Sequence, residues 1–161
     1  MKKHRGVRLL ALRDSMHEIG QTCLAEGRAD IAGAGRFGQR WKDGLQAAED
    51  FGPERSTLTI FHTIFYWTVF EFGAVIKGKP LLWIPLSFAV DAIGVMARNF
   101  PGGLFRVDRK AGGAPLLLSR ATGEPKYFGK EQVTIPKKFH LRAICARVLK
   151  GFKALYLSKL D

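Results

Sequence analysis

The chain has 161 residues, 47% of them hydrophobic and 25% charged, and a formal net charge of +12. That hydrophobic fraction excludes ordinary disorder, which joins high charge to few apolar residues, and the length suits a single domain whose core needs no staples. So positive a chain favours polyanionic neighbours such as nucleic acid or anionic lipid, or uses the charge only to stay soluble, and neither reading specifies a fold.

The opening Met1-Lys2-Lys3-His4-Arg5 is basic like the start of a signal peptide, but Arg8, Arg13, Asp14 and Glu18 leave no apolar signal core behind it. Over residues 7 to about 29, Val7, Leu10, Leu12, Met16, Ile19, Cys23 and Leu24 recur at three- to four-residue steps, which predicts a long amphipathic helix. Gly33, Gly35 and Gly38 break it, so residues 32–38 read as a glycine hinge, and Trp41, Leu45 and Ala48 suggest a second, short helix. The hinge spells GxGxxG from Gly33 to Gly38. A dinucleotide fingerprint needs a strand before it and a βαβ unit around it, and here a helix precedes it.

Gly52-Pro53 marks a turn. Leu58, Ile60 and Phe61 among Thr57, Thr59 and Thr63 predict a strand, and Phe65-Tyr66-Trp67 with Val69-Phe70 extends the apolar run to Glu71 as a strand or short helix. After a basic turn, Lys77-Gly78-Lys79-Pro80, the run Leu81-Leu82-Trp83-Ile84 predicts a short strand bounded by Pro80 and Pro85. Phe88, Ala92 and Val95 suggest a helical turn or two, ended by Pro101-Gly102-Gly103. Three strands follow as a meander, near residues 104–107, 115–119 and 132–135. From Pro136, Phe139, Ile144, Val148, Phe152 and Leu155 alternate with lysines and arginines and predict a basic amphipathic helix. The expected fold is α+β, a mostly antiparallel sheet with the long N-terminal helix and the C-terminal helix packed on one face.

Residues 58–76 approach the ~20 apolar residues of a membrane span. Glu71 interrupts that stretch, and an acid at mid-bilayer costs roughly 2.5 to 3.5 kcal/mol. Residues 81–97 carry Asp91 and Pro85, and the β-branched and aromatic content of both stretches suits buried strands.

Few residues suggest chemistry. Cys23 and Cys145 form no CxxC and have no histidine at ligand spacing, so they read as small hydrophobes on helices, free thiols of a reducing compartment. His4, His17, His62 and His140 make no metal-binding pair, and no serine lies in a GxSxG elbow. The acids, among them Asp30, Asp91, Glu124 and Glu131, are mostly single. The expectation is a chain with no enzyme activity, no cofactor, no metal and no small-molecule substrate. Glu71-Phe72-Gly73 reads better as a turn whose carboxylate satisfies backbone donors than as an acid with a tuned pKa.

The segment Phe70-Glu71-Phe72-Gly73, a basic spacer, and Pro80-Leu81-Leu82-Trp83-Ile84-Pro85-Leu86 resembles tailed-phage tail-completion or neck proteins, including minor-tail-protein-Z-like members. The long first helix, the glycine break before Trp41 and the step Val133-Thr134-Ile135-Pro136-Lys137 into a basic helix are similar too, covering residues 13–150 in outline. The motif residues are Phe70, Glu71, Phe72, Gly73, Pro80, Trp83 and Pro85. This resemblance implies a non-enzymatic virion protein, assembled in the host cytoplasm, that forms a homo-oligomeric ring with other neck or tail proteins. It also implies that Lys2, Lys3, Arg5, Arg8, Lys137, Lys138, Arg142 and Arg147 are candidates to face packaged DNA, with solvated helix faces as their other reading. The alternative to the ring is a small basic two-span membrane protein of the holin type. A nucleic-acid module stacking on Trp41 or Phe37 is a third reading, without a recognised motif.

Overall fold

The computed structural model describes residues 2–52, 55–109 and 112–160, with side chains from residue 6 onward. Pro53, of the expected turn, lies outside the described residues. The fold is α+β, and its contacts group into two compact units: Met1–Gly73 with Pro136–Asp161, and Ala74–Ile135.

The first unit begins with helix α1, Lys2–Gly33. Its buried face is a row of every fourth residue, Ala11, Ser15, Ile19, Cys23, Gly27 and Ile31, flanked by Met16 and Leu24. Met16, Ile19, Cys23 and Leu24 of the apolar series lie on or beside this face, but Val7 and Leu10 of the same series are exposed, and the series leaves out Ala11, Ile31 and the small Ser15 and Gly27, which a hydrophobicity pattern does not register. Ser15 is tolerated in the core because its hydroxyl donates to the Ala11 carbonyl at 2.7 Å, the usual arrangement for a helical serine. After the bend at residues 34–38 comes α2, Gln39–Gly44, and then strand β1, Leu45–Phe51, paired antiparallel with β2, Ser56–His62. The short helix expected to include Leu45 and Ala48 is thus split. Leu45 and Ala47 turn inward while Gln46 and Ala48 face out, a period of two that so short a window does not distinguish from helix.

Helix α3, Thr68–Phe72, closes the first stretch of this unit, and α4, Leu141–Leu149, and α5, Phe152–Ser158, complete it. The expected C-terminal helix from Pro136 therefore starts five residues later and breaks around Gly151. The reason is packing: Phe139 is fully buried with Leu24, Ile31, Leu45 and Leu141, which holds the preceding chain in a non-helical path. Phe37, Trp41 and Phe70 surround Phe139 edge-on or tilted, with centroids 4.7 to 5.7 Å away.

The second unit is a four-stranded antiparallel sheet in the order β3-β6-β5-β4, made of β3, Ala74–Pro85, β4, Leu104–Val107, β5, Leu116–Ser119, and β6, Pro125–Ile135. The meander is as expected, although β6 starts seven residues before the strand read at 132–135. The basic turn expected at 77–80 is instead an irregularity inside one strand. Pairing with β6 passes from Lys77 opposite Gln132 to Leu82 opposite Lys130, so the extra β3 residues bulge out and the strand resumes. Two 3-10 turns, Val90–Ala92 and Ala97–Asn99, supply Ala89, Ala92 and Phe100 to a core around the fully buried Tyr127. Tyr127 is satisfied there because its hydroxyl donates to the Val95 carbonyl at 3.0 Å. Lys126 is nearly buried and neutralised by Asp91 at 2.9 Å and Glu124 at 3.0 Å. Among the described residues no helix is long and apolar enough to cross a membrane.

Candidate functional site

The motif residues fall in both units. Phe70 to Gly73 end α3 in the first, whereas Pro80, Trp83 and Pro85 lie on β3 in the second, where Trp83 packs against the core around Tyr127. Gly73 has φ of 75°, a conformation that side chains rarely adopt, so glycine lets the chain leave α3 sharply.

That turn carries Glu71 into the interior at 2% exposure. One carboxylate oxygen accepts the Leu141 N–H at 2.9 Å and the other accepts the Arg142 N–H at 3.1 Å. These amides begin α4 and have no partner within the helix, and a negative group there is further favoured by the helix dipole. Next to it, the Phe70 carbonyl accepts from the N–H groups of Lys138 at 2.7 Å and Phe139 at 3.0 Å. Asp30 on α1 accepts the His140 N–H at 2.7 Å, and its other oxygen meets His140 Nδ1 at 3.1 Å. Five successive amides, 138 to 142, are thus held by α3 and α1. The aromatic-Glu-aromatic-Gly segment is the dock on which the C-terminal segment starts.

The basic residues have diverse surroundings. Arg142 sits with its guanidinium 5.6 Å over the Phe72 ring, and Arg147 is paired with Glu26 of α1. Lys137, Lys138 and Arg8 are exposed, Arg8 beside a groove that also holds Arg13, Phe51 and Tyr156. The side chains of Lys2, Lys3 and Arg5 lie outside the described set. Lys137, Lys138, Arg142 and Arg147 share the segment that enters and forms α4, but Arg147 has its charge compensated by Glu26.

Behind α4 lies a mostly apolar cavity of about 280 Å³. Its polar lining comes from His62, Arg142, Cys23 and Cys145. His62 is buried: its Nδ1 accepts the Ile64 N–H at 3.1 Å, which leaves Nε2 as the donor to the Trp41 carbonyl at 3.0 Å. Burial holds its pKa below the usual 6.5, although the Trp41 carbonyl acts in the opposite direction. The folded protein therefore resists a proton that the unfolded chain takes up near pH 6.5. Stability from this source is present above about pH 6.5 and is lost as pH falls below it. Urea midpoints measured from neutral pH downward should fall more steeply for the natural chain than for His62→Gln; parallel profiles would remove His62 as the cause.

Both oxygens of Glu71 and both ring nitrogens of His62 are occupied by backbone groups, so the arrangement supports chain packing and leaves neither group open to a substrate. Among the described residues no three His, Cys, Asp or Glu side chains are grouped to hold a metal. Sequence reasoning found the Glu71 turn but not its partners, nor the pairing of Asp30 with His140 across 110 residues. The chain matches no protein-family model, no curated protein and no solved structure.

Proposed function

We propose that this chain is a non-enzymatic structural subunit of a tailed phage or prophage-like particle, part of the head-tail neck or tail-completion ring. The observation that carries the reading is the Phe70 to Pro85 segment, which resembles that family in sequence and whose first half docks the C-terminal segment through Glu71. A ring subunit works through surfaces rather than a site, and the second unit offers such surfaces. Strands β3 and β4 are the open edges of its sheet, and Phe88, Val90, Ile93 and Met96 are all more than half exposed. Closed rings of identical subunits bury complementary patches of this kind.

The test is the mass of the purified protein, alone and mixed with candidate neck and tail proteins, with electron microscopy of any assembly. A defined ring or a stoichiometric complex is the expected result, and a persistent monomer that joins no assembly would overturn the proposal. The same samples read out the basic face: contact with packaged DNA should appear as sequence-independent duplex binding that weakens steeply with salt. No salt-dependent binding would remove the DNA-facing role while leaving the ring intact.

A further inference from the structure

Helices α1 and α4 meet along matching rows of every fourth residue, Ile19, Cys23 and Gly27 on one and Leu149, Cys145 and Leu141 on the other. At one end a Cβ on Gly27 would stand 3.2 Å from Leu141 Cδ2, and at the other Ile19 and Leu149 line the same cavity. The helices therefore run antiparallel in a register that sets Cys23 opposite Cys145. The absence of a side chain at Gly27 makes room first for Leu45, whose Cδ2 a Cβ there would meet at 2.5 Å, and then for Leu141, and a disulfide between the helices requires Cα atoms about 4.4 to 6.8 Å apart. The Arg147 pair with Glu26 and the Asp30 hold on His140 fasten the same helices nearby.

Both thiols are free and line the cavity, with Cys23 3% exposed and Cys145 half-buried. Burial first, then the adjoining Cys145 thiol, then Glu26, push the Cys23 thiol up to about 12. Cys23 is thus held protonated, and the more open Cys145 is the one that an oxidant reaches first.

We propose that Cys23 and Cys145 are an oxidisable dithiol, converted by a hydroperoxide into a disulfide that staples the C-terminal segment to the first helix. The Cys145 thiolate attacks hydrogen peroxide, forming an S–O bond as the O–O bond breaks and hydroxide leaves, so that this sulfur becomes a sulfenic acid. Cys23 sulfur then attacks it, forming the S–S bond as the S–O bond breaks. The departing hydroxide leaves with the Cys23 proton as water. One peroxide is reduced and two thiols are oxidised. The new ring encloses all of the second unit, a long loop, for which a cross-link constrains the unfolded chain strongly.

The test treats the reduced, purified chain with hydrogen peroxide, then denatures it, alkylates free thiols and measures its mass. The expected product is a monomer lighter by two hydrogen atoms, with Cys23 and Cys145 joined in one peptide, unalkylated, and restored by dithiothreitol. Its melting temperature should rise by roughly 10 °C over the reduced form. Cys145→Ser, checked by circular dichroism for its fold, should show neither change. Two alkylated cysteines after treatment, a bridge only between chains, or sulfinic acid at Cys145 beside a free Cys23 would each overturn the proposal. All of these readouts use the chain alone and do not depend on whether it assembles.

Discussion

Glu71→Ala is expected to destabilise the first unit by about 3 kcal/mol, since each hydrogen bond to a charged group contributes about 1.5 to 3 kcal/mol and one stranded donor is buried and the other partly buried. The substitution frees the amides of Leu141 and Arg142 at the start of α4, where water has little access to the first and the helix itself supplies no acceptor for either. Glu71→Gln keeps the volume and one acceptor oxygen but turns an NH2 group toward the other amide, so roughly half the loss is expected. Urea unfolding followed by Trp41 and Trp67 fluorescence, in a Trp83→Phe background, isolates this unit, and the midpoint should fall with an unchanged slope. Hydrogen exchange at Leu141 and Arg142 should accelerate in both variants. A Glu71→Ala midpoint equal to the natural one would mean that the buried carboxylate does not hold α4.

Gly78→Ala should have an effect of similar size, about 3 kcal/mol, in the second unit, because overpacking against backbone forces the strand itself to move. A Cβ at this position would stand 2.4 Å from the carbonyl carbon of Leu81 and 2.4 Å from the nitrogen of Leu82, where the bulge of β3 folds close upon itself. Main-chain atoms have no rotamer by which to retreat, and Leu82 is held by its pairing with β6. Relief requires opening the bulge, and that shifts the register through which Leu82 to Pro85 pair with β6 and through which Trp83 reaches its core. Trp83 fluorescence in the Trp41→Phe, Trp67→Phe background reports on it. Gly6→Ala, on the exposed start of α1 with nothing within 4 Å, is the control and should leave that transition where it was. If Gly78→Ala melted with the control, the bulge would be soft and the glycine merely permitted.

These two positions also show where a one-dimensional reading runs out. Glu71 was legible as a carboxylate serving backbone donors at a turn, because a lone acid between apolar residues and a glycine has few other uses. Its donors were not legible, since they lie 70 and 71 residues further along the chain. Lys77-Gly78-Lys79-Pro80 has the composition of a turn, and locally the chain does leave the sheet there. That β3 continues beyond it depends on β6, whose residues pair with both flanks and make one strand out of two apolar runs. Pro136 likewise suits a first helical turn, yet Phe139 enters the aromatic cluster instead and α4 waits for His140.

The sequence by itself determined the elements that are long or strongly periodic: α1, β2, the strands of the meander, a basic helical end, and the α+β class they compose. Those follow from side-chain periodicity and backbone preference, which act over a few residues and are written where they act. Only the tertiary structure decided which amides Glu71 and Asp30 receive, that Arg147 is matched by Glu26, and that Cys23 stands opposite Cys145. Hydrogen bonds, ion pairs and thiol contacts depend on positions in space within a few ångströms, and residues far apart along the chain acquire those positions only when the core closes around them.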